Sequence, residues 1–407
     1  MASIGFGTYR LGDENPEHIE ALRMAIEAGV SVIDTSTNYM DGGAERAIGK
    51  ALRYLDDDAC ESVEIISKFG YIQGSTMARL ETGTSFEEVV EFAPHVFHCI
   101  HPDFMRDQLE HSLERLQQST LGCYLIHNPE YYLFDALGKG IERSTALDTM
   151  NDRIFRAFVA LEEAVSAGKI EGYGISSNSF AKLPSDPEFL PYEDLPALAA
   201  HAAESAGNKT HHFTTLQLPI NLLETEGLRC AGWAKAHGLR VLSNRPLNTE
   251  YEGRMYRLAD YPLPDAYETR LNEMLQYSDH DTLRSLHNLM LQLDEVRHRF
   301  SWVGEYESFL YTQILPHIRT VLTALDEEER SALAQQLTLF LAAYGEMVAH
   351  ECSVKTRHEL SSQLEGCQKS VQECALDFLV AKPEIDVVLL GMRRPRYVAQ
   401  TADCFSL

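Results

Sequence analysis

The chain has 407 residues and a formal net charge of −26, with its acidic residues spread along its length. That balance argues against nucleic acid or an anionic membrane as a partner, because both carry the same sign of charge. No apolar run reaches the ~18 residues of a membrane span.

The eight cysteines show no CxxC and no regular framework, so reduced thiols in a cytoplasmic setting are expected. Cys352, Cys367 and Cys374 fall in helical sequence and are expected as buried small residues. The first residues, Met1-Ala2-Ser3-Ile4-Gly5, lack the basic and long apolar stretches of a secretory leader.

Over the first 250 residues, β-rich runs alternate with helical patterns. Strands are expected near Ile4–Thr8, Val30–Asp34, Val63–Lys68, Cys123–His127, Gly172–Ser176, Thr214–Gln217 and Arg240–Asn244. Between the first two, Ile19, Leu22, Ala25 and Ile26 recur at helical spacing, as do Met105, Leu109, Leu113 and Leu116 farther on. Such alternation implies parallel strands joined by crossover helices.

From about Glu250 to Cys374 almost no strand is expected. Leu283, Leu286, Met290, Leu293 and Phe300 fit one helix stripe, and Leu333, Leu337, Leu341, Tyr344 and Val348 another. Pro316 should kink or divide the stretch between them. An eighth strand follows at Asp386–Leu390. The expected fold is therefore α/β, a (β/α)8 TIM barrel with a helical insertion after strand seven. Residues 1–249 and 374–407 would form the barrel and 250–373 the insertion, which leaves strand seven at the barrel mouth and so is expected beside or above it.

A closed parallel barrel gathers the C-terminal strand ends at one mouth, where function sits. Strand two ends at Asp34, followed closely by Tyr39; strand three ends at Lys68 and strand four at His127. These types suit one job. A phenol with a pKa near ~10 is a reluctant proton donor and acceptor at neutral pH. A lysine ammonium beside it is expected to lower that value. A carboxylate keeps the lysine charged and placed, and an imidazole can polarise a carbonyl oxygen while the phenol protonates it. The segment His95–His101 has metal-ligand types but no recognised zinc spacing, so no metal is expected.

The stretch Val32-Ile33-Asp34-Thr35-Ser36-Thr37-Asn38-Tyr39, with Glu45 and Gly49, resembles the first signature of the aldo-keto reductases. Ile66-Ser67-Lys68-Phe69 and Leu125-Ile126-His127-Asn128-Pro129 resemble the second and third elements, so the family's catalytic tetrad is matched by Asp34, Tyr39, Lys68 and His127. The resemblance implies an oxidoreductase that moves a hydride between a nicotinamide cofactor and an aldehyde, ketone or sugar lactol. It implies this without a dinucleotide-binding domain, and no G-x-G-x-x-G follows a strand here. By the same resemblance, Ser176, Asn178 and Gln217 would bind the nicotinamide end. Asn244, Arg245 and Leu247 would also bind the cofactor, Asn244 at the position of the nicotinamide ring and Arg245 near the pyrophosphate, and Gly391, Arg393, Arg394 and Gln400 near the adenosine. NADPH is the expected cofactor, with NADH as the alternative.

The chain departs from the pattern in three places. Asn244 stands where many members carry a ring-stacking tyrosine, and Asn128 where many carry tryptophan. The usual arginine facing the 2′-phosphate aligns near Tyr397. The substrate pocket is expected from Tyr71, Asn128 and Tyr131, with Phe69 and Tyr132 beside them. The alternative to an enzyme is a cofactor-binding regulatory protein that acts through a protein partner.

Overall fold

The computed structural model describes residues 1–276 and 283–401. Eight parallel strands close a barrel: β1 (Ser3–Gly7), β2 (Val32–Asp34), β3 (Glu64–Phe69), β4 (Leu121–His127), β5 (Ile170–Ser176), β6 (Phe213–Pro219), β7 (Arg240–Asn244) and β8 (Val387–Leu390). Around the barrel the order is β1-β8-β7-β6-β5-β4-β3-β2. The first strand closes the ring by pairing Phe6 with Ile33 on β2 and Ile4 with Val388 on β8.

The expected strands are all present, with ends shifted by up to two residues. The crossover helices start where the sequence offers caps. Asn15 accepts from the Glu17 amide at 3.0 Å ahead of Pro16, so the helix Pro16–Glu27 begins there and buries Leu22, Ala25 and Ile26. The helix Pro102–Leu116 buries Met105, Leu109, Leu113 and Leu116 against the barrel.

Strand pleating then decides what faces the barrel axis. Side chains alternate with period two, and Val32, Ile66, Cys123, Leu125, Leu242, Val387 and Leu389 form one apolar cluster inside. Two residues farther along their strands from Val32, Ile66, Leu125 and Leu242 stand Asp34, Lys68, His127 and Asn244. The apolar layer is thus the floor on which a polar layer rests.

Two small sheets escape the sequence reading. Tyr71–Ile72 and Val90–Ala93 both pair antiparallel with Val96–His98, which is therefore the centre of a three-stranded sheet. The second is a hairpin, Asn248–Tyr251 with Arg254–Arg257. It corrects the expectation of almost no strand beyond Glu250. Its two turn residues, Glu252 and Gly253, both have positive φ, the geometry of a tight hairpin turn.

The chain divides into two compact units: Met1–Pro246 with the segment from Leu376 onward, and Leu247–Ala375. The second unit has its own core, in which Tyr267, Met290, Leu337, Phe340 and Tyr344 are buried together. Its longest helix, Glu327–Glu359, buries Leu333, Leu337, Tyr344 and Val348, and the Tyr344 hydroxyl donates to the Leu293 carbonyl at 2.8 Å. As expected, the stretch is divided at Pro316, which lies in the first turn of the helix Leu315–Leu322, separated from the helix Val303–Phe309 by a π-helical stretch at Leu310–Ile314.

The cysteine expectation is corrected here. Cys367 and Cys374 form a disulfide, and neither is buried. The helix ends at Glu359, so Cys367 lies in the following turn region rather than in a helix, free to reach the next one. Cys352 is buried, as are Cys99, Cys123 and Cys230. No described helix is long and apolar enough to cross a membrane.

Candidate active site

The polar layer is a connected network. Lys68 is fully buried, with Nζ 2.7 and 2.8 Å from the two Asp34 carboxylate oxygens. The same Nζ donates to the Thr35 carbonyl at 2.7 Å and reaches the Tyr39 hydroxyl at 3.5 Å. Gln217 Nε2 donates to Asp34 Oδ1 at 2.7 Å, while its Oε1 accepts from Ser176 Oγ at 2.8 Å and from Asn244 Nδ2 at 3.4 Å. Strands β2, β3, β5, β6 and β7 therefore each place one inward side chain in a single cluster.

The electrostatics follow from burial. Desolvation pushes the Asp34 carboxyl up and the Lys68 ammonium down, and their contact opposes both shifts. The Tyr39 phenol is raised well above its ordinary value, by burial and then by the Asp34 charge. This corrects the expectation that Lys68 lowers it. The ammonium is spent on Asp34 and Thr35, and its distance to the phenol is the longest of its contacts. The His127 imidazole is held neutral, first by burial and then by the positive charge of Lys68.

His127 also sits among rings. Its centroid lies 6.1 Å from that of Tyr39 and 4.8 Å from that of Tyr71, both edge-on. Ser36 Oγ is 3.2 Å from its Nδ1. Its other ring nitrogen has no protein partner among the described residues.

Tyr71, Asn128 and Tyr131 come together beside it, with Asn128 Nδ2 2.7 Å from the Tyr71 hydroxyl and the two phenols 2.6 Å apart. Phe69 and Tyr132 do not join them. Phe69 alternates outward from Lys68, is fully buried and stacks on Tyr124 at 5.1 Å. The Tyr132 ring packs under Arg153, with the guanidinium 4.6 Å from its centroid.

The other expected cofactor residues are more scattered. Asn178 is exposed and opens the short turn Ser179–Ala181. Arg245, at positive φ, gives one arm to Glu224 at 3.1 Å. Leu247 is buried and opens the second unit. Gly391 and Gln400 are exposed on either side of the start of the helix Pro395–Thr401. Arg393 and Arg394 are close enough to help lower the pKa of His18, after its own burial. Among the described residues, no three His, Cys, Asp or Glu side chains gather into a metal-holding group.

One residue was missed from the sequence. Glu130 is buried, and its Oε1 accepts from the Asn178 and Ser179 amides at 3.0 and 3.3 Å. Its Oε2 is buried with no partner among the described residues, and burial pushes the carboxyl up to about 7. An acid in a loop after a proline reads as a surface residue, so only its position next to the tetrad histidine could have singled it out. His98 was passed over for metal binding. It is buried, with Nε2 2.6 Å from the His127 carbonyl and its pKa pushed down to about 4 by burial.

Fold and site together define an α/β barrel protein with an acid–base cluster at the C-terminal mouth. The aldo/keto reductase family model matches residues 3–281, more than half of the chain, and the chain belongs to that family. It is 26% identical over 187 residues to methylglyoxal reductase YeaE of Escherichia coli, covering 45% of this chain and 48% of that protein. It is 26% identical over 190 residues to prostaglandin F synthase 1 of Bos taurus, covering 44% and 48%. The chain thus spans about half the length of the curated relatives it matches. Among solved structures, a glycerol dehydrogenase from Gluconobacter oxydans is similar at 17% identity and a TM-score of 0.49, covering 99% of this chain and 86% of that one.

Proposed function

We propose that the protein is a nicotinamide-dependent oxidoreductase that reduces an aldehyde, ketone or sugar lactol, with NADPH as its cofactor. The observation that carries the reading is Lys68 Nζ, buried between the Asp34 carboxylate and the Tyr39 hydroxyl. Tyr39 is the proton donor. Burial keeps its phenol protonated, so it arrives at the reaction loaded. As the carbonyl oxygen gains negative charge, the phenol passes its proton to it and is left as a phenolate. Lys68, already in place, faces the phenolate that results. Asp34 fixes Lys68, and Gln217 fixes Asp34. Neutral His127 turns its unpartnered nitrogen toward the substrate oxygen without placing a second charge there.

The residues present suit a nicotinamide. Asn244 Oδ1 is buried and has no partner among the described residues, beside Gln217 and Ser176. An orphan acceptor of this kind matches a carboxamide N–H₂. Ser176, Gln217 and Asn244 would hold that end, and the cofactor would supply the hydride. Arg393 and Arg394 are close enough to act on His18 and would suit the anionic phosphates of the cofactor. A protein working only through a partner would have no use for a loaded proton donor.

The test is a fluorescence titration with NADPH and NADH, followed by turnover on a panel of carbonyls with wild type and Tyr39→Phe. The wild type should bind NADPH and turn over. Tyr39→Phe should lose at least ~100-fold in kcat while keeping its cofactor affinity. Near-normal turnover by Tyr39→Phe would remove the proton-donor assignment, and failure to bind either cofactor would remove the reading.

A further inference from the structure

Beside His127 lies a cluster whose hydrogen bonds can be counted proton by proton. Asn128 Nδ2 donates to the Tyr71 hydroxyl at 2.7 Å and, at the longer distance of 3.5 Å, to the Tyr131 oxygen. Having accepted there, Tyr71 can pass its own proton to the Tyr131 oxygen, 2.6 Å away. The pKa directions agree with that order: the contact with Tyr131 raises Tyr71, and the contact with Tyr71 opposes the rise at Tyr131. The Tyr131 proton then has no acceptor among the described residues. Asn128 Oδ1 likewise accepts no hydrogen bond from them. The cluster therefore ends in one free donor on Tyr131 and one free acceptor on Asn128, three residues apart just beyond the end of β4.

The surroundings fix this pair in place. The Tyr131 ring stacks on Phe92 at 3.8 Å. His98 sets its edge against both phenols, 5.8 Å from Tyr71 and 5.3 Å from Tyr131, and is itself held by the His127 carbonyl at 2.6 Å. Asn128 takes a φ of 50°, a left-handed conformation that asparagine tolerates better than most residues. A Cβ on Gly70 would come within 2.6 Å of both the His127 oxygen and His98 Nε2, so the packing leaves no slack. Donors held in this way lose little entropy on binding.

We infer that Tyr131, Tyr71 and Asn128 form a hydroxyl-recognition subsite that selects short carbonyl substrates carrying a hydroxyl group near the reacting carbon. A hydroxyl both donates and accepts, so it can satisfy Tyr131 and Asn128 Oδ1 at once. A carboxylate or a second carbonyl only accepts and would leave Asn128 Oδ1 unmatched. An alkyl group would leave both polar groups desolvated and unpaired, which is how a polar site rejects a deoxy analogue. The ring distance of 4.8 Å between Tyr71 and His127 puts the subsite one or two carbons from the oxygen that His127 faces.

The inference rests on the reductase reading above, and the test separates the two. Steady-state kcat/KM is measured with saturating NADPH for glyceraldehyde and for propanal, each corrected for its hydrate. The wild type should prefer glyceraldehyde by at least about tenfold. Tyr131→Phe should cut that ratio about 5- to 10-fold, and Tyr71→Phe should cut it less, because Tyr131 keeps its own proton. An unchanged ratio in Tyr131→Phe, or a wild-type ratio near one while propanal turns over, would overturn the subsite and leave the reductase reading standing. A purely structural role would lower both aldehydes alike and leave the ratio where it was, which also overturns it. No turnover of either aldehyde, with NADPH bound and another carbonyl of the panel reduced, would overturn the subsite alone, and no binding of either cofactor would overturn both readings.

Discussion

Replacing Lys68 with methionine tests the buried pair on which the site rests. In the wild type, Nζ contacts both Asp34 oxygens at 2.7–2.8 Å and the Thr35 carbonyl at 2.7 Å, with no exposed surface. Methionine fills much the same volume but returns none of these contacts. Asp34 would keep only Gln217 Nε2 at 2.7 Å. Removing one partner of a buried ion pair costs about 3–5 kcal/mol, because the other charge is left uncompensated. Asp34 can escape only by taking up a proton, and its folded pKa, already raised by burial, must rise further. A carboxyl whose folded pKa lies above its unfolded value of ~3.9 weakens the fold at higher pH and not below that value. The destabilisation of Lys68→Met should therefore be largest near pH 8 and shrink to roughly 1 kcal/mol by about pH 4.5. Urea unfolding of wild type and variant at several pH values reads this directly. A loss below about 1 kcal/mol that is flat with pH would refute the buried ion pair.

Two further predictions concern titration. Burial, Lys68 and His98 all hold the His127 imidazole neutral, so kcat for carbonyl reduction should show no one-proton break near ~6.5, the ordinary histidine value. A break there in wild type would mean that His127 is solvated and titrates. Glu130, whose carboxyl is raised to about 7, takes up a proton on folding, so wild-type stability should fall by about 3 kcal/mol as pH rises from ~4.5 to 7 and then level off. Glu130→Gln keeps an acceptor for the Asn178 and Ser179 amides but cannot titrate. It should lose that part of the slope and be the more stable protein above pH 7, and an unaltered slope in unfolding experiments would contradict the assignment.

Much of the site was legible because a pleated strand leaves few choices. Asp34, Lys68 and His127 each lie two residues beyond an apolar inward residue, so the alternation that marks a strand also says which polar residue enters the mouth. The same spacing places Asn244 beyond Leu242, and Gln217 beyond Thr215. Features outside that period left no such trace. The strands Tyr71–Ile72 and Val96–His98 are too short to show alternation, yet they hold Tyr71 and His98 against the mouth. The helix ending at Glu359 meets no glycine until Gly366, so nothing in the residues before it marks where the helix stops and leaves Cys367 outside it, paired with Cys374.

The misjudged phenol is the more instructive case, because the residues were read correctly and their sum was not. A lysine taken alone beside a tyrosine lowers its pKa. Lys68 is not alone: Asp34 lies closer to it than Tyr39 does, and the Asp34 charge acts on the phenol in the opposite sense. Burial then decides, and it favours the neutral O–H. This suits reduction, where the donor must hold its proton until the substrate oxygen becomes basic. The reverse reaction starts from the other side, since oxidising an alcohol needs a phenolate to accept the proton, and this environment makes the phenolate costly. On the proposed reading, the same burial that keeps Tyr39 protonated would bias it toward giving a proton to a carbonyl oxygen rather than taking one from an alcohol near neutral pH. The Asp34–Lys68 pair supports that bias by keeping a cation in reach without letting it ionise the phenol in advance.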